Sequence, residues 1–252
     1  MPDTTERLHH VEEAMGTVFS FDVRGGGLDD ALSAAVASLH QADTVFSTYR
    51  PESQVSRLAR GELTLAACDP DIREVLRRCE EAEQRSRGWF SARYAGPLDP
   101  TGLVKGWAVE RAARMLYAAG AEGVCLNGGG DIQLLGGPWR VGIADPLRPG
   151  QLAAVVAADD DLAVATSGPA ERGCHILAPG TGLPPETSLA SLTVLCRSLT
   201  EADAWATAGY AMGDAARDWL EELPDTEAFA VTSDGGLWHT TGFARHAVGI
   251  RA

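Results

Sequence analysis

Four short stretches carry residue types that do chemistry when a fold brings them together. Leu98 to Gly106 places Asp99 and Lys105 on either side of a glycine turn that leads into a helix. Glycine lets a backbone approach a ligand closely, a helix N-terminus favours anions, and lysine offers a point charge to a phosphate. The stretch lacks the G-x-x-x-x-G-K-[ST] pattern of a phosphate loop, and its other reading makes Asp99 a helix cap and Lys105 a solvated side chain. Asn127-Gly128-Gly129-Gly130-Asp131 is either an anion-binding nest of backbone N–H groups or a plain hairpin turn. Thr166 and Ser167 end one apolar run, and His175 opens the next run at Ile176. A histidine there serves either as a general base near neutral pH or as a half-buried structural residue. Asp203 and Thr207 are four apart and share one helix face. A carboxylate with a hydroxyl suits a hard cation such as Mg²⁺, which keeps waters and takes further ligands from a phosphate. The same stretch also reads as a capping box, Thr200-x-x-Asp203.

The elements that would position these residues follow from periodicity. Residues 16–23 alternate and predict a strand, and Gly25-Gly26-Gly27 a turn. A helix runs from a cap at Asp29 or Asp30 to about Asp43, and a short one covers Ser53 to Leu58. Asp69-Pro70 opens an amphipathic helix to Arg87. A βαβ-like stretch follows: Lys105 to Ala119 is helical and ends at Gly120, and strands fall at 123–126 and 132–135. Further strands fall at 139–143, 153–157, 162–166, 192–196 and 228–232, with helices at 202–214 and 215–220. This interleaving predicts a mixed α/β (α+β) fold with partly antiparallel sheets and packed helices.

Composition narrows the function. The chain has 252 residues, 45% of them hydrophobic, which excludes wholesale disorder. One large domain or two intimate lobes both fit this length. The net charge of −14 and the single lysine argue against a nucleic-acid surface. No apolar run is long enough to span a membrane, and the polar start has no leader-like segment, so the expected location is cytoplasmic. The cysteines, Cys68, Cys79, Cys125, Cys174 and Cys196, form no C-x-x-C pair and read as buried thiols.

Taken together and in order, the motifs resemble the ApbE family of FAD:protein FMN transferases. The resemblance is carried by Met15-Gly16-Thr17, Ser47-Thr48-Tyr49 with Ser53, Asp99 to Gly106, Asn127 to Asp131, Thr166-Ser167-Gly168, His175-Ile176 with Pro179 and Thr181-Gly182, and Ala202-Asp203 with Thr207 and Met212-Gly213. It implies a T-fold-like architecture in which residues 1–252 form one flavin transferase domain. It also implies Mg²⁺-dependent transfer of FMN from FAD to a Thr or Ser hydroxyl of an acceptor flavoprotein, with AMP released. The acceptor would carry a Ser/Thr-Gly-Ala-Thr-like motif. By position, Met15, Tyr49, Asp99, Lys105, Thr166, Ser167 and Ile176 would contact FAD. Asp203, Thr207 and the Gly102 carbonyl would hold Mg²⁺, and His175 would be the base. The chain departs from the family pattern in a short Phe90 to Asp99 segment, in Ala178 and Ala59, and in Ala206, where some members carry a second carboxylate. Those departures keep two alternatives open: an FAD pyrophosphatase that releases free FMN and AMP, and an FAD-binding protein without turnover.

Overall fold

The computed structural model describes residues 6–94, 96–169, 176–179 and 181–251. The alternating stretch near 16–23 is strand β2 (Thr17–Arg24), paired antiparallel with β1 (Arg7–Ala14). β1 has no apolar period to announce it: His9, His10, Glu12 and Glu13 lie on both its faces, and it forms a sheet edge. Met15 and Gly16 join the two strands with φ of 51° and 70°. Positive φ at both central residues is what a two-residue hairpin needs to match the strand twist.

A second hairpin joins β3 (Gly123–Gly128) to β4 (Asp131–Leu135), with Gly128 opposite Asp131. Its turn is Gly129-Gly130, at φ 59° and 93°. The hairpin reading of this motif therefore holds over the anion nest, and Asp131 is a strand residue. The βαβ-like reading of this region is corrected as well, because every pairing among the described strands is antiparallel. The chain continues through β5 (Trp139–Ala144), β6 (Leu152–Ala158), β7 (Leu162–Ser167), β8 (Leu189–Cys196), β9 (Glu227–Thr232), β10 (Leu237–His239) and β11 (Ala247–Ile250). One sheet has the order β1-β2-β3-β4-β7-β8-β9-β10, and the other is β11-β6-β5.

Strand alternation sends side chains into two cores. Along β9, Ala228 and Ala230 face a core shared with the helices, while Phe229 and Val231 join Trp139, Val141, Val156 and Phe243 on the small-sheet side. Alanines on the helix side, with Ala163 and Ala165 of β7, leave room for a helix to lie close.

The helices are α1 (Asp29–Phe46), α2 (Gln54–Ala59), α3 (Pro70–Arg85), α4 (Thr101–Ala118), α5 (Leu199–Met212) and α6 (Ala216–Glu221). Asp69 caps α3 through its side chain, as expected, and Ser53, read from the sequence as the first residue of α2, is its cap. Asp29 and Asp30 do not cap α1; they occupy its first turn, where negative charge is favoured. α4 starts four residues before the expected Lys105, so Gly102 lies in its first turn.

α5 starts earlier too. Ser198 is its cap, accepting from the Glu201 N–H, so the Thr200-x-x-Asp203 capping box does not form and Asp203 lies inside the helix. α5 is buried on nearly every side, and its run of alanines suits that environment. Glu110 of α4 secures its start, because its Oε2 accepts from Ser198 Oγ at 2.7 Å, Thr200 Oγ1 at 2.8 Å and Thr200 N at 3.0 Å. Burial pushes the Glu110 carboxyl up, but these hydrogen bonds and one from Arg114 outweigh it and hold the group below the ordinary 4.5. A depressed carboxyl stabilises the fold above its ordinary range and loses that contribution as pH falls through the folded value. Glu110→Gln is therefore expected to lower stability by about 1–2 kcal/mol at neutral pH. Urea titrations should show the gap to wild type closing below pH 4.5, and a gap independent of pH would contradict the assignment.

Candidate active site

The first turns of α4, the middle of α5 and the end of β7 converge on a cleft of about 900 Å³, counted with its open mouth. α4 supplies Thr101, Gly102 and Lys105; α5 supplies Asp203 and Thr207; β7 and the residue after it supply Thr166, Ser167 and Gly168. Ile176 and Leu177 form a further wall. A second, wider hollow meets the first at Asp99, Thr101 and Lys105, and is lined by Met15 at the β1–β2 turn and by Ser47 to Arg50. Every site residue expected from the sequence lines one of these two hollows except His175, which lies outside the described residues. Tyr49 stands at the mouth, 95% exposed.

Asp203 is 7% exposed and Thr207 8%, deep placements for polar groups on a helix otherwise made of small and apolar residues. α4 and α5 can touch here because of Gly106. A Cβ at that position would stand 2.6 Å from the Leu199 carbonyl oxygen and 2.8 Å from the Asp203 Cβ. The close approach lets the Gly106 N–H donate to Asp203 Oδ2 at 2.9 Å, which orients the carboxylate. A Cβ on Gly102 would meet Thr207 Cγ2 at 3.9 Å, so the first turn of α4 lies against the same face of α5. Together these residues offer a carboxylate, a hydroxyl and a backbone carbonyl. Such an all-oxygen set fits Mg²⁺ when water and a substrate phosphate complete the shell. Among the described residues no group of three or more His, Cys, Asp or Glu side chains is arranged to hold a metal.

Asp99 stands one residue before Pro100, the N-cap of α4, and lines both hollows. Its Oδ1 accepts from the Thr101 N–H at 3.0 Å and from the Thr101 hydroxyl at 2.6 Å, so it steadies the start of α4 from the junction of the two hollows. The short Phe90 to Asp99 segment still walls the cleft, through Ser91 and Tyr94. Tyr94 is held by its hydroxyl, which donates to the Trp89 carbonyl at 2.6 Å, and by edge-on contact with Phe90. Neither residue has a periodicity or motif that marks it in the sequence. Asp131, read there as part of a turn, pairs through Oδ2 with the Lys105 ammonium and accepts the Thr166 N–H on Oδ1 at 3.0 Å.

The pattern of one family, the ApbE family, matches residues 15–96 and 92–230. The chain belongs to the ApbE family. Its relatives include a Treponema pallidum protein named FAD:protein FMN transferase, 30% identical over 201 residues, which are 67% of this chain and 56% of that protein. A Vibrio cholerae protein of the same name is 33% identical over 130 residues, 46% of this chain and 39% of that one. The chain thus spans about half the length of the curated relatives it matches. Among solved structures, the flavin transferase ApbE from Vibrio cholerae superposes with a TM-score of 0.83 at 20% identity, over 96% of this chain and 99% of that one. The apo flavinyl transferase ApbE from Pseudomonas stutzeri gives 0.83 at 23% identity, over 98% of each. At these identities the superpositions establish the ApbE fold, which agrees with the mixed α/β architecture expected from the sequence. Among the described residues no helix is long and apolar enough to cross a membrane.

The Gly106 contact yields a test. Gly106→Ala is expected to push α4 from α5 and to cost about 1–3 kcal/mol, the usual range for overpacking. Equilibrium unfolding measures this, and an unchanged midpoint would mean that the helices do not meet as closely as described.

Proposed function

We propose that this ApbE-family chain is an Mg²⁺-dependent FAD:protein FMN transferase, with residues 1–252 acting as one catalytic domain. The observation that carries the reading is the convergence of Met15, Tyr49, Asp99, Gly102, Lys105, Thr166, Ser167, Ile176, Asp203 and Thr207 on two joined hollows. The names of the relatives agree with it.

In this reading FAD lies along the joined hollows, contacted by Met15, Tyr49, Asp99, Lys105, Thr166, Ser167 and Ile176. Asp203, Thr207 and the Gly102 carbonyl hold the cation. Bound there, Mg²⁺ would neutralise charge on the pyrophosphate. Lys105, held at the end of its stem by Asp131, lies against the same diphosphate. The acceptor's Thr or Ser hydroxyl attacks the FMN phosphorus, and His175 takes its proton. A phosphoester bond forms, the P–O–P bond breaks, and AMP leaves with the bridging oxygen. The work is mainly positioning and charge stabilisation, as in phosphoryl transfer generally. A buried carboxylate fixed by a backbone N–H suits that task, because it does not have to reorganise during the reaction.

The test is incubation with FAD and an acceptor flavoprotein domain bearing a Ser/Thr-Gly-Ala-Thr-like segment, with and without Mg²⁺. Intact mass spectrometry should show an acceptor heavier by one FMN group, with AMP released in equal amount. AMP with free FMN and no adduct would overturn transfer in favour of a pyrophosphatase, and FAD bound without turnover would mark a binding protein. Asp203→Ala is expected to reduce Mg²⁺-dependent turnover at least a hundredfold. Near-wild-type activity in that variant would refute the metal assignment. His175→Ala is expected to keep FAD affinity within about threefold while losing transfer about a hundredfold or more. Parallel loss of both would make His175 structural.

A further inference from the structure

Asp131 is the most deeply buried carboxylate beside the cleft, its side chain 1% exposed. It stands at the first position of β4, directly after the Gly129-Gly130 turn, so its backbone is fixed by the hairpin. It ties two walls of the cleft together by holding the Lys105 ammonium from α4 on one oxygen and the Thr166 N–H from β7 on the other. Behind it, Thr166 Oγ1 and Thr193 Oγ1 share a hydrogen bond of 2.9 Å, and Thr193 is fully buried. A carboxylate this deep needs both a cation and hydrogen bonds around it, and Asp131 has both.

The pair also sets the charge that the cleft offers a ligand. Around the joined hollows, Arg50 is paired with Asp43 at 2.8 Å and Lys105 with Asp131. Asp99 and Asp203 add two more carboxylates to the same lining. Among the described residues, the two cations that line the cleft are thus each matched by a carboxylate, and acidic groups exceed basic ones.

We propose that Asp131 is a positioning residue. It holds the Lys105 ammonium at the cleft wall and neutralises it in the metal-free protein, so that an anionic dinucleotide binds well only together with a divalent cation. This rests on the proposed FAD site. The same pair makes the lysine a fixed element of the site: its charge is present where the diphosphate lies, but it adds no net attraction until the cation offsets the remaining carboxylates.

The experiment titrates FAD, by quenching of its fluorescence, into wild type, Asp131→Asn and the double variant Asp131→Asn/Lys105→Met, each in EDTA and in Mg²⁺. Near-ultraviolet circular dichroism and melting temperature report the fold of each. Asn keeps an acceptor for the Thr166 N–H and removes only the charge. Asp131→Asn is expected to bind metal-free FAD about tenfold tighter than wild type, since removing one charge a few ångströms from a phosphate is worth at least that. Its kcat in Mg²⁺ is expected to fall about tenfold as the ammonium loses its anchor. A purely structural role for Asp131 predicts weaker binding in both conditions, and unchanged or weaker metal-free affinity in this variant overturns the proposal. Should Asp131→Asn fail to fold, the double variant decides. It replaces one neutral pair by another, so its metal-free affinity should stay within about threefold of wild type; a loss of tenfold or more would show that the Lys105 charge already serves the ligand, and would overturn the proposal. Wild type that binds FAD in Mg²⁺ leaves the flavin-site reading standing whatever the variants do. Wild type that binds no FAD in either condition overturns both.

Discussion

The contact between α4 and α5 at Gly106 is the constraint on which the cleft depends. Removing a carboxylate from water costs several kcal/mol unless charge or hydrogen bonds compensate it. Asp203 sits in a nearly fully buried helix, and the backbone N–H of Gly106 is one compensating group. That bond exists only because position 106 has no Cβ to hold the two helices apart. The same approach brings the first turn of α4, with Gly102, against Thr207. One missing side chain therefore sets both the depth of the carboxylate and the proximity of the oxygen ligands expected around it.

The hairpin turns place the other walls by a similar economy of residues. Gly129 packs beside Thr17, where an added Cβ would meet Thr17 Oγ1 at 2.5 Å, so the β3–β4 turn abuts the start of β2. That juxtaposition fixes Met15, in the neighbouring turn, at the edge of the wider hollow, and fixes Asp131 at the back of the narrower one. Site residues mounted on tight turns between paired strands are held more firmly than residues on long loops. The small sheet takes no part in the cleft. It covers the opposite face of β4, β7, β8 and β9 with Trp139, Val141 and Val156.

Much of this was legible in the sequence where the physics is local. The cap at Asp69, the alternation of β2 and the apolar runs of β5 to β9 announce their elements. The ordered motifs identify the residues that line the cleft. What the sequence hides is set by tertiary contact. The sequence places the start of α4 at Lys105 because Gly102 looks like a turn residue, yet Asp99 accepts the Thr101 N–H and the helix begins at Thr101. Thr200 and Asp203 look like a capping box, but Ser198 takes that role with help from Glu110, which is ninety residues away and invisible to local pattern. β1, β10 and β11 border their sheets and are only partly buried, so no alternation of apolar and polar residues marks them. Asp131 reads as a turn residue, and only its ion pair with Lys105, from a helix distant in sequence, marks it as part of the cleft wall.

Electrostatics joins these points. A chain with a net charge of −14 has no general attraction for a dinucleotide, so the FAD affinity we propose has to arise from local arrangement. The chain has one lysine among its basic residues, and it is the one at the cleft. An ammonium is compact and meets Asp131 end-on in a slot where the lysine side chain is 11% exposed. The planar fork of an arginine carries five N–H donors that need partners when buried, and such a slot would have to widen to take it. The lysine is therefore tied to the depth of Asp131, the depth of Asp131 to the tight β3–β4 turn, and the position of α4 that delivers the lysine to the Gly106 contact with α5. The charge at the cleft wall is thus a property of the packing: shifting either helix or hairpin would separate the Lys105–Asp131 ion pair.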